Sequence, residues 1–574
     1  MKKAFSLLLW IAAITSLKAQ PAFEWVRIIG GSNKVNVNRG NAITTDAAGN
    51  AYITGCFNGT VDFDPGPGTA NLTCAGGHDI FILKLNSAGS LVWVKTIGST
   101  SDDEANSISI DAAGNIYTIG WFQGIVDFDP GAGTATLSAT GTYDAFISKL
   151  DAAGNYVWAK QLGGTSASVF SNSIATDAAG NIYTNGYFSG TVDFDPGAGL
   201  VSLSTTGFCD AFITKLDASG NLVWAKNIDG TSMIYGNSVA VDAAGNVYTA
   251  GFFLGTADFD PGMGTFWLSH SPPGSSDSYV LKLDASGNFE WVKEFAGTAA
   301  YAQSIAIDPF GNIYTTGYFE GTVDFDPDTA NTYNLSCTTT SSFVFISKLN
   351  SAGNFLWAKG MVSSSGSAGN SVIPDGAGNV YTTGHFNQTT DFDPGPANAD
   401  LTCNGAEDAF ISKLDSNGDF LWAGNMAGSG STYTYGNSIT TDGAGNIYTT
   451  GTLQGTADFD PGSGSFSLTS TGTYGIFVHK MSQSGKPNEI QENTLNPLII
   501  YPNPGSSEFT VVLPEIANDT WIEIYSASGK LIERRLVKTE RLQVDLSEYA
   551  DGLYFIKLLS DNQTIGAQRL LKIN

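Results

Sequence analysis

The sequence predicts an all-β protein: a seven-bladed β-propeller closed by the N-terminal strand, followed by a small C-terminal β-sandwich. Three short motifs each occur seven times along the 574 residues, at intervals of 65 to 68 residues. Each interval contains four segments of strand length, and four antiparallel strands repeated at such a period are typical of propeller blades. The chain has 68 glycines and only 14% charged residues, which excludes a coiled coil or a helical bundle.

Residues 1–19 have the pattern of a secretory signal peptide. A basic start precedes an apolar run over residues 4–17, and the small residue Ala19 stands at the predicted cleavage site. The alternative is a buried N-terminal helix. The run is too short for a transmembrane helix, and no later run reaches that length. The mature protein is therefore expected to leave the cytoplasm and not to span a membrane.

Three markers define the repeat units of the predicted propeller domain, residues 20–483. The first is an Asp-Ala-Ala-Gly-Asn turn or a close copy, beginning at Asp46, Asp111, Asp177, Asp242, Asp308, Asp375 and Asp442. The second is Asp-Phe-Asp-Pro, beginning at Asp62, Asp127, Asp193, Asp258, Asp324, Asp391 and Asp458. The third is a tryptophan, at Trp25, Trp93, Trp158, Trp224, Trp291, Trp357 and Trp422. Such regular recurrence predicts seven copies of one structural unit.

The third unit shows how one repeat divides into strands. Four strands are predicted, over residues 172–176, 182–188, 211–216 and 222–228. Turns with a Gly-Asn step join the first strand to the second and the third to the fourth, because glycine supplies the positive φ that tight turns need. A long connection, residues 189–210, joins the middle pair. The alternative to a propeller is an open solenoid.

The two ends of the repeat region favour a closed ring. Residues 23–30 look like the fourth strand of a unit without its first three, whereas the last unit ends with a third strand at residues 476–480. Pairing the first strand of the chain into the last unit completes that unit and removes an exposed sheet edge. An open solenoid gives no reason for this arrangement.

Three stretches of the repeats resemble a known bacterial family. They are Gly-Asn-Ile-Tyr-Thr-Thr-Gly at residues 311–317, Asp-Ala-Phe-Ile-Ser-Lys-Leu-Asp at residues 144–151, and Gly-Asn-Leu-Val-Trp-Ala-Lys at residues 220–226. Each is similar to the β-propeller repeat of the SBBP type, and the resemblance extends over residues 21–485. It implies a propeller fold and no particular activity, because propellers carry many functions.

Positions that differ between the seven units are candidates for a ligand site. One set follows a glycine that ends every second strand, and comprises Cys56, Trp121, Tyr187, Phe252, Tyr318, His385 and Thr452. Another set is the connection from each fourth strand to the next first strand, which fold analogy places on the ligand face. Exposed aromatic side chains there would suit a carbohydrate or a protein ligand. The predicted ligand-face residues are Trp121, Tyr235, Tyr301, Tyr433 and Tyr435. The alternative is tolerated surface variation.

Asp-Phe-Asp-Pro brings two aspartates of each unit to the same face. In an extended chain their side chains point the same way, about 7 Å apart between Cα atoms, so both can share one hard cation such as Ca²⁺. The predicted calcium ligands are Asp62, Asp64, Asp127, Asp129, Asp193, Asp195, Asp258, Asp260, Asp324, Asp326, Asp391, Asp393, Asp458 and Asp460. The alternative is that each aspartate accepts hydrogen bonds from N–H groups of the turn.

Composition argues against several functions. The formal net charge of −27 argues against nucleic acid as a partner, since phosphate binding needs clustered lysine and arginine. Four histidines and five cysteines leave little material for a transition-metal site. No catalytic residue is predicted, and a binding protein is favoured over a polysaccharide-acting hydrolase or a structural surface-layer component. Among the cysteines, Cys56 and Cys74 of the first unit are the only pair that could form a disulfide, and the sequence leaves open whether they do.

Residues 497–574 form a second predicted domain, after a polar linker at residues 484–496. Six strand-like segments in this length suit a small β-sandwich. Its motifs Tyr-Pro-Asn-Pro, Ile-Tyr-Ser-Ala-Ser-Gly-Lys, Asp-Gly-Leu-Tyr-Phe and the closing Leu-Lys-Ile-Asn resemble the type A C-terminal sorting domain of the type IX secretion system of Bacteroidota. The matching positions include Tyr501, Pro502, Asn503, Pro504, Gly529, Lys530, Gly552 and Tyr554.

The resemblance to a sorting domain implies where the protein is delivered. It implies that the chain crosses the outer membrane through the type IX translocon, that a sortase then acts on the tail, and that the protein is secreted or held at the cell surface. An ordinary accessory sandwich is the alternative.

Overall fold

The computed structural model describes residues 21–31, 38–270, 275–328, 330–337, 341–483, 499–501, 505–512, 520–526, 531–539, 541–560 and 563–572. These residues form strands, turns and bends without a helix, so the described chain offers no helix for crossing a membrane. Contacts divide the chain into two compact units, residues 1–483 and 484–574. The predicted signal peptide and the predicted linker lie outside the described residues.

The described part of the first unit contains forty-one strands. The first, β1 (Ala22–Ile29), precedes the repeats. Repeat unit 1 contains β2 (Arg39–Thr45), β3 (Ala51–Phe57), β4 (Thr60–Asp62), β5 (Asn71–Thr73), β6 (Asp79–Leu85) and β7 (Leu91–Ile97). Unit 2 contains β8 (Glu104–Ile110), β9 (Ile116–Phe122), β10 (Ile125–Asp127), β11 (Thr136–Ser138), β12 (Asp144–Leu150) and β13 (Tyr156–Leu162). Unit 3 contains β14 (Ser168–Thr176), β15 (Ile182–Ser189), β16 (Thr191–Asp193), β17 (Ser202–Ser204), β18 (Asp210–Leu216) and β19 (Leu222–Gly230).

The remaining repeats follow the same plan. Units 4 and 5 contain β20 (Ile234–Val241), β21 (Val247–Phe253), β22 (Thr256–Asp258), β23 (Trp267–Ser269), β24 (Asp277–Leu283), β25 (Phe289–Ile307), β26 (Ile313–Asp324), β27 (Asn334–Ser336), β28 (Phe343–Leu349) and β29 (Phe355–Gly360). The short β30 (Val362–Ser363) follows. Units 6 and 7 contain β31 (Ser367–Pro374), β32 (Val380–Phe386), β33 (Thr389–Asp391), β34 (Asp400–Thr402), β35 (Asp408–Leu414), β36 (Phe420–Gly428), β37 (Tyr433–Thr441), β38 (Ile447–Gln454), β39 (Thr456–Asp458), β40 (Ser467–Thr469) and β41 (Gly475–Ser482).

The long strands of each unit form an antiparallel four-stranded sheet. In unit 1 the order is β2–β3–β6–β7, so each long strand is the neighbour of the next long strand along the chain. The 19-residue β25 serves first as the outer strand of unit 4 and then as the first strand of unit 5. No sheet formed by the described residues closes on itself.

A short hairpin lies in the connection that the sequence predicts between the second and third long strands. In unit 3 this hairpin pairs β16 with β17. The hydroxyl oxygens of Thr191 and Ser204 are 2.8 Å apart across it, and Val192 between them is fully buried. A three-residue strand is too short to show a clear alternation of polar and apolar residues, so the sequence does not reveal it.

The first strand of unit 3 begins earlier than the sequence predicts. β14 begins at Ser168, four residues before the predicted start. Its register with β15 shifts between Ser171 and Ser173. A bulge of this kind interrupts the alternation of side chains between the two faces. The pattern read from the sequence therefore stops at the bulge although the strand continues.

The strand β1 belongs to the sheet of unit 7. It pairs antiparallel with β41, from Ala22 opposite Ser482 to Ile29 opposite Ile476. The order of that sheet is β1–β41–β38–β37. Unit 7 therefore has four long strands only because the beginning and the end of the repeat region combine.

A tryptophan on the outer strand of one unit packs under a turn of the next unit. The ring of Trp158 in unit 2 would lie 3.2 Å from a Cβ atom added to Gly220 in unit 3. Gly220 also has a φ of 79°, so the turn requires glycine for its backbone as well as for space. Trp25 on β1 makes the same contact with Gly89 of unit 1, at 3.0 Å.

The C-terminal unit forms two antiparallel sheets around one core. Its strands are β42 (Ile499–Tyr501), β43 (Glu508–Val512), β44 (Thr520–Ser526), β45 (Leu531–Leu536), β46 (Arg541–Asp545), β47 (Gly552–Ser560) and β48 (Gln563–Lys572). They pair in the orders β42–β43–β46 and β45–β44–β47–β48. Phe509 of the first sheet and Ile524 and Ile556 of the second are fully buried in the shared core. Two sheets on one core are the arrangement of a small β-sandwich.

Candidate functional site

The constant glycine at the end of each second strand fixes the same backbone arrangement in every unit. A Cβ atom added to Gly186 would lie 1.9 Å from the carbonyl oxygen of Phe170 on the adjacent first strand. The same approach, 1.8 or 1.9 Å, recurs in all seven units. Only glycine permits backbones this close beside a bulge. The residue after the glycine is therefore held at a defined place against the first strand.

Three positions near this glycine carry different side chains in the seven units, and together they are called the variable belt. The first-strand position comprises Arg39, Glu104, Phe170, Tyr235, Tyr301, Ala368 and Tyr435. Paired with these, after the glycine, are Cys56, Trp121, Tyr187, Phe252, Tyr318, His385 and Thr452. The position before the third long strand comprises His78, Tyr143, Cys209, Ser276, Ser342, Glu407 and Tyr474.

Eight aromatic side chains of the belt form a continuous row through units 2 to 5, called the aromatic arc. Its members are Trp121, Tyr143, Phe170, Tyr187, Tyr235, Phe252, Tyr301 and Tyr318. Neighbouring ring centroids along the row are 4.6 to 6.0 Å apart. Aromatic pairs at such distances add about 0.5–1.5 kcal/mol each beyond the burial of their area. The arc is therefore a pre-ordered surface.

Three tyrosines of the arc, Tyr187, Tyr235 and Tyr318, are neutral at physiological pH. Burial raises the pKa of Tyr187 to about 12. Burial also raises the pKa values of Tyr235 and Tyr318 above the usual value for a phenol. Their hydroxyl groups can therefore donate as well as accept hydrogen bonds.

The arc contains Trp121, Tyr235 and Tyr301 of the five predicted ligand-face residues. These rings are half-buried rather than exposed, because each packs against arc neighbours. Tyr433 and Tyr435 form another cluster, with their centroids 6.3 Å apart. Tyr435 also contacts the ring of His385 at 4.9 Å.

Sequence reasoning did not single out Tyr143 or Phe170. Tyr143 lies directly before Asp144, the first residue of a third strand, and contacts both Trp121 and Phe170, at 5.2 and 5.0 Å. Comparing the residue before each third strand across the units would have identified this third variable position.

The belt becomes polar where units 1 and 2 meet. The ring of His78 stands perpendicular to that of Trp121, with centroids 5.9 Å apart, so the polar residues adjoin the arc. Nδ1 of His78 lies 3.0 Å from Oδ1 of Asp102, and its Nε2 lies 3.7 Å from Oε2 of Glu104. Asn41 donates a hydrogen bond to Oε1 of Glu104 at 2.8 Å.

The charged forms of His78 and Glu104 stabilise each other. Burial alone would raise the pKa of Glu104, but its contacts with His78, Asn41 and Arg39 outweigh burial and lower that pKa. Burial alone would lower the pKa of His78, but Glu104 and Asp102 outweigh it and raise that pKa. The fully buried thiol of Cys56 has a pKa well above its usual value, chiefly because of burial. The resting site therefore holds a carboxylate beside a neutral thiol.

The disulfide that the sequence left open between Cys56 and Cys74 is not formed, since both are free thiols. Cys74 stands by the short hairpin of unit 1, where its Sγ accepts a hydrogen bond from the N–H of Gly59 at 2.9 Å. Cys56 instead lies in the variable belt, beside His78 and Glu104. The two side chains belong to different parts of the unit, so closeness in sequence does not bring the sulfurs together.

The Asp-Phe-Asp-Pro motif caps a turn. In unit 3, Oδ1 of Asp193 accepts hydrogen bonds from the N–H groups of Asp195 and Val201, at 3.0 and 2.9 Å. Oδ1 of Asp195 accepts one from Gly197 at 2.8 Å. Phe194 between them is fully buried. Equivalent bonds engage Oδ1 of all fourteen aspartates. This supports the turn-capping alternative, and calcium binding stays a prediction.

Part of the sorting motif lies outside the described residues, namely Pro502, Asn503, Pro504, Gly529 and Lys530. Among the described members, Tyr501 pairs with Thr510 at the end of β42. Gly552 begins β47 opposite Lys572. The buried Tyr554 donates a hydrogen bond to the carbonyl of Ala550.

Two family models match the chain. Residues 499–572 match the secretion system C-terminal sorting domain. Residues 157–187, 290–318 and 427–454 match the SBBP β-propeller repeat. Both resemblances drawn from the sequence are confirmed: the chain carries SBBP-type propeller repeats and a C-terminal sorting domain.

Several individual proteins are similar to this chain, at low sequence identity. An uncharacterized WD repeat-containing protein of Acanthamoeba polyphaga mimivirus is 25% identical over 504 residues, covering 72% of this chain and 35% of that protein. The chain thus spans about a third of this curated relative. Sqt1 from Chaetomium thermophilum is 10% identical with a TM-score of 0.33, covering 75% of this chain and 97% of that one. PorZ, a surface component of the type IX secretion system of Porphyromonas gingivalis, is 11% identical with a TM-score of 0.18, covering 94% and 99%.

Proposed function

Because its sorting domain marks this chain for type IX export to the cell surface or the medium, we propose that the repeat region is a closed seven-bladed β-propeller that binds an extracellular carbohydrate through the aromatic arc. During export, the sorting domain interacts with the type IX secretion machinery. The variable belt then supplies the function that remains after export.

Contacts between units support the closed ring. Asn172 of unit 3 donates through Nδ2 to the carbonyl of Gly236 in unit 4, at 2.9 Å. Asn437 of unit 7 donates in the same way to Gly40 of unit 1, at 3.0 Å. A second contact repeats as well: the hydroxyl of Tyr314 in unit 5 donates to the carbonyl of Gly378 in unit 6 at 3.0 Å, and that of Tyr448 in unit 7 donates to the carbonyl of Gly49 in unit 1, also at 3.0 Å. Unit 7 therefore contacts unit 1 as interior units contact their neighbours.

The main support for the binding proposal is that the arc is restricted to four of the seven units. A structural component built on seven-fold repetition would present equivalent side chains in every unit. The belt instead has Phe170 and Tyr187 in unit 3 where unit 6 has Ala368 and His385. Such asymmetry on a constant backbone gives the ring one distinct side.

The chemistry of the arc favours carbohydrate as the ligand. Sugar rings pack C–H groups on aromatic faces, while their hydroxyl groups need neutral donors and acceptors. Trp121 and Phe252 offer partly exposed aromatic rings. Tyr187, Tyr235 and Tyr318 add hydroxyl groups that burial keeps protonated.

Glycan-array binding of the purified full chain tests this proposal. The double variant Tyr235→Ala/Phe252→Ala should lose most binding, whereas Tyr433→Ala, outside the arc, should retain it. Circular dichroism should show all variants folded. Equal binding by all three proteins would contradict the arc as the ligand site. Binding of peptides without glycans would replace carbohydrate by a protein ligand, and release of shortened glycans would favour the hydrolase alternative.

A further inference from the structure

Three potential metal ligands converge at the polar end of the variable belt. Sγ of Cys56, one ring nitrogen of His78 and one carboxylate oxygen of Glu104 all lie within 4.8 Å of one another. In the described chain this is the one group of three or more His, Cys, Asp and Glu side chains close enough to hold a metal ion. The residues come from two units, since Glu104 lies on the first strand of unit 2.

Neighbouring side chains orient two of these ligands. Asp102 contacts Nδ1 of His78 at 3.0 Å, which leaves Nε2 facing Glu104. That Nε2 is buried and has no hydrogen-bond partner, an arrangement that needs a reason because buried polar atoms are normally paired. Asn41 donates to Oε1 of Glu104, so Oε2 is the oxygen turned toward His78. Carboxylate-oriented histidines of this kind are typical of zinc sites.

From this arrangement we propose that Cys56, His78 and Glu104 bind a Zn²⁺ ion. The donor set contains one sulfur, one nitrogen and one oxygen atom, which suits Zn²⁺ and not Ca²⁺ or Mg²⁺, since those ions prefer oxygen ligands. Three protein ligands leave one tetrahedral position for water or a ligand atom. The free cysteine thus has a role that disulfide formation would have removed.

The surrounding charges have opposing effects on a bound cation. Arg39 lies 4.0 Å from Glu104 and would repel the ion, although its side chain is half exposed and can move into solvent. Asp102 and Glu104 supply two negative charges in return. Binding releases the thiol proton of Cys56 to solvent and forms a metal–thiolate bond.

The proposed zinc site lies next to one end of the aromatic arc. His78 contacts Trp121, the first ring of the arc, so the fourth position of the ion would lie near one end of the proposed carbohydrate site. The zinc proposal does not rest on that carbohydrate, because the ligands are complete without it. Its test therefore uses the metal alone.

Metal titration of the full chain tests the proposal. Metal-free protein is titrated with Zn²⁺ in a calorimeter, and with Co²⁺ while the thiolate-to-cobalt charge-transfer absorption is recorded. Wild type should bind one Zn²⁺ per chain and show that absorption. Cys56→Ser should lose the absorption and weaken zinc binding by more than 100-fold. The matched control Cys74→Ser changes another free cysteine of unit 1 and should behave as wild type.

Further variants separate ligands from a structural effect. Glu104→Gln keeps an oxygen that can accept the bond from Asn41 but loses the negative charge, and should also weaken binding strongly. Asp102→Asn should weaken it about 10–100-fold, as expected for a group that orients a ligand. Unchanged melting curves of the metal-free variants would exclude unfolding. No zinc binding by folded wild type, or equal binding by Cys56→Ser, would overturn the proposal.

Discussion

Trp25 and Trp357 allow the junction between units 7 and 1 to be compared with an interior junction. Each indole is 9% exposed. Each Nε1 donates to a backbone carbonyl of the next unit at 3.1 Å, Ser87 for Trp25 and Ser416 for Trp357. Each indole also contacts a buried tyrosine, at 6.1 and 6.2 Å. Their surroundings are thus alike, but Trp25 lies on β1 and Trp357 on β29.

Alanine at either position should destabilise the repeat region to a similar extent. Loss of a buried tryptophan costs about 3–5 kcal/mol. The carbonyl that loses its donor adds about 1–3 kcal/mol where water cannot replace it. With a denaturant slope of about 3 kcal/mol per M in urea, each substitution should lower the midpoint by about 1 M or more.

Urea unfolding followed by far-ultraviolet circular dichroism measures this effect without relying on tryptophan fluorescence. Trp267→Ala is the control, because Trp267 is 54% exposed and its loss should change stability by less than about 0.5 kcal/mol. If Trp25→Ala unfolds like wild type while Trp357→Ala is destabilised, the ring is open at that junction and the reasoning is refuted.

Three further outcomes are expected. Gly186→Ala should destabilise the protein by about 3 kcal/mol because its Cβ would meet a backbone carbonyl, whereas Gly443→Ala, with nothing within 4 Å, should be neutral in the same urea assay. Burial raises the pKa of Asp210 to about 7; the folded state therefore holds a proton that the unfolded state releases near pH 4, and stability should fall as pH rises from about 4 to 7. Asp210→Asn should make that slope shallower, because Asp79, whose pKa burial raises to about 6, keeps its own contribution; an unchanged slope would contradict the assignment. Changing Asp193 and Asp195 to Asn should preserve the turn but reduce any melting-temperature gain from Ca²⁺; equal gains from Mg²⁺, with no calcium found by elemental analysis, would favour turn capping alone.

The repeated features of the fold could be predicted because each depends on local chemistry that recurs seven times. The Gly-Asn turns need positive φ, as Gly220 shows, and the long strands show a period of two. The short hairpins could not be predicted, because three residues such as those of β16 carry too little pattern. The start of β14 was misplaced for another physical reason, namely that a bulge interrupts the alternation.

The candidate site was predicted only in part. Trp121, Tyr235 and Tyr301 were found because they vary on a constant background. Cys56 also stands at one of these variable positions, but its grouping with His78 and Glu104 could not be found in this way, because variation does not show which positions of two neighbouring units meet. The small number of histidines and cysteines argues against a transition-metal site, but three side chains suffice when the fold brings them together.

The participation of β1 in unit 7 determines the order in which the protein can fold. Asn38 of unit 1 donates a hydrogen bond to the carbonyl of Tyr474, 436 residues later in the chain. Sheets within single units involve short loops and can form early, whereas this contact and the pairing of Ala22 with Ser482 must close loops that span nearly the whole repeat region. Joining the two ends is therefore expected to be the last and slowest folding step. Until β1 pairs with β41, β1 has no partner and the sheet of unit 7 has an unpaired edge. This stage is expected to be the most exposed to aggregation and to proteases.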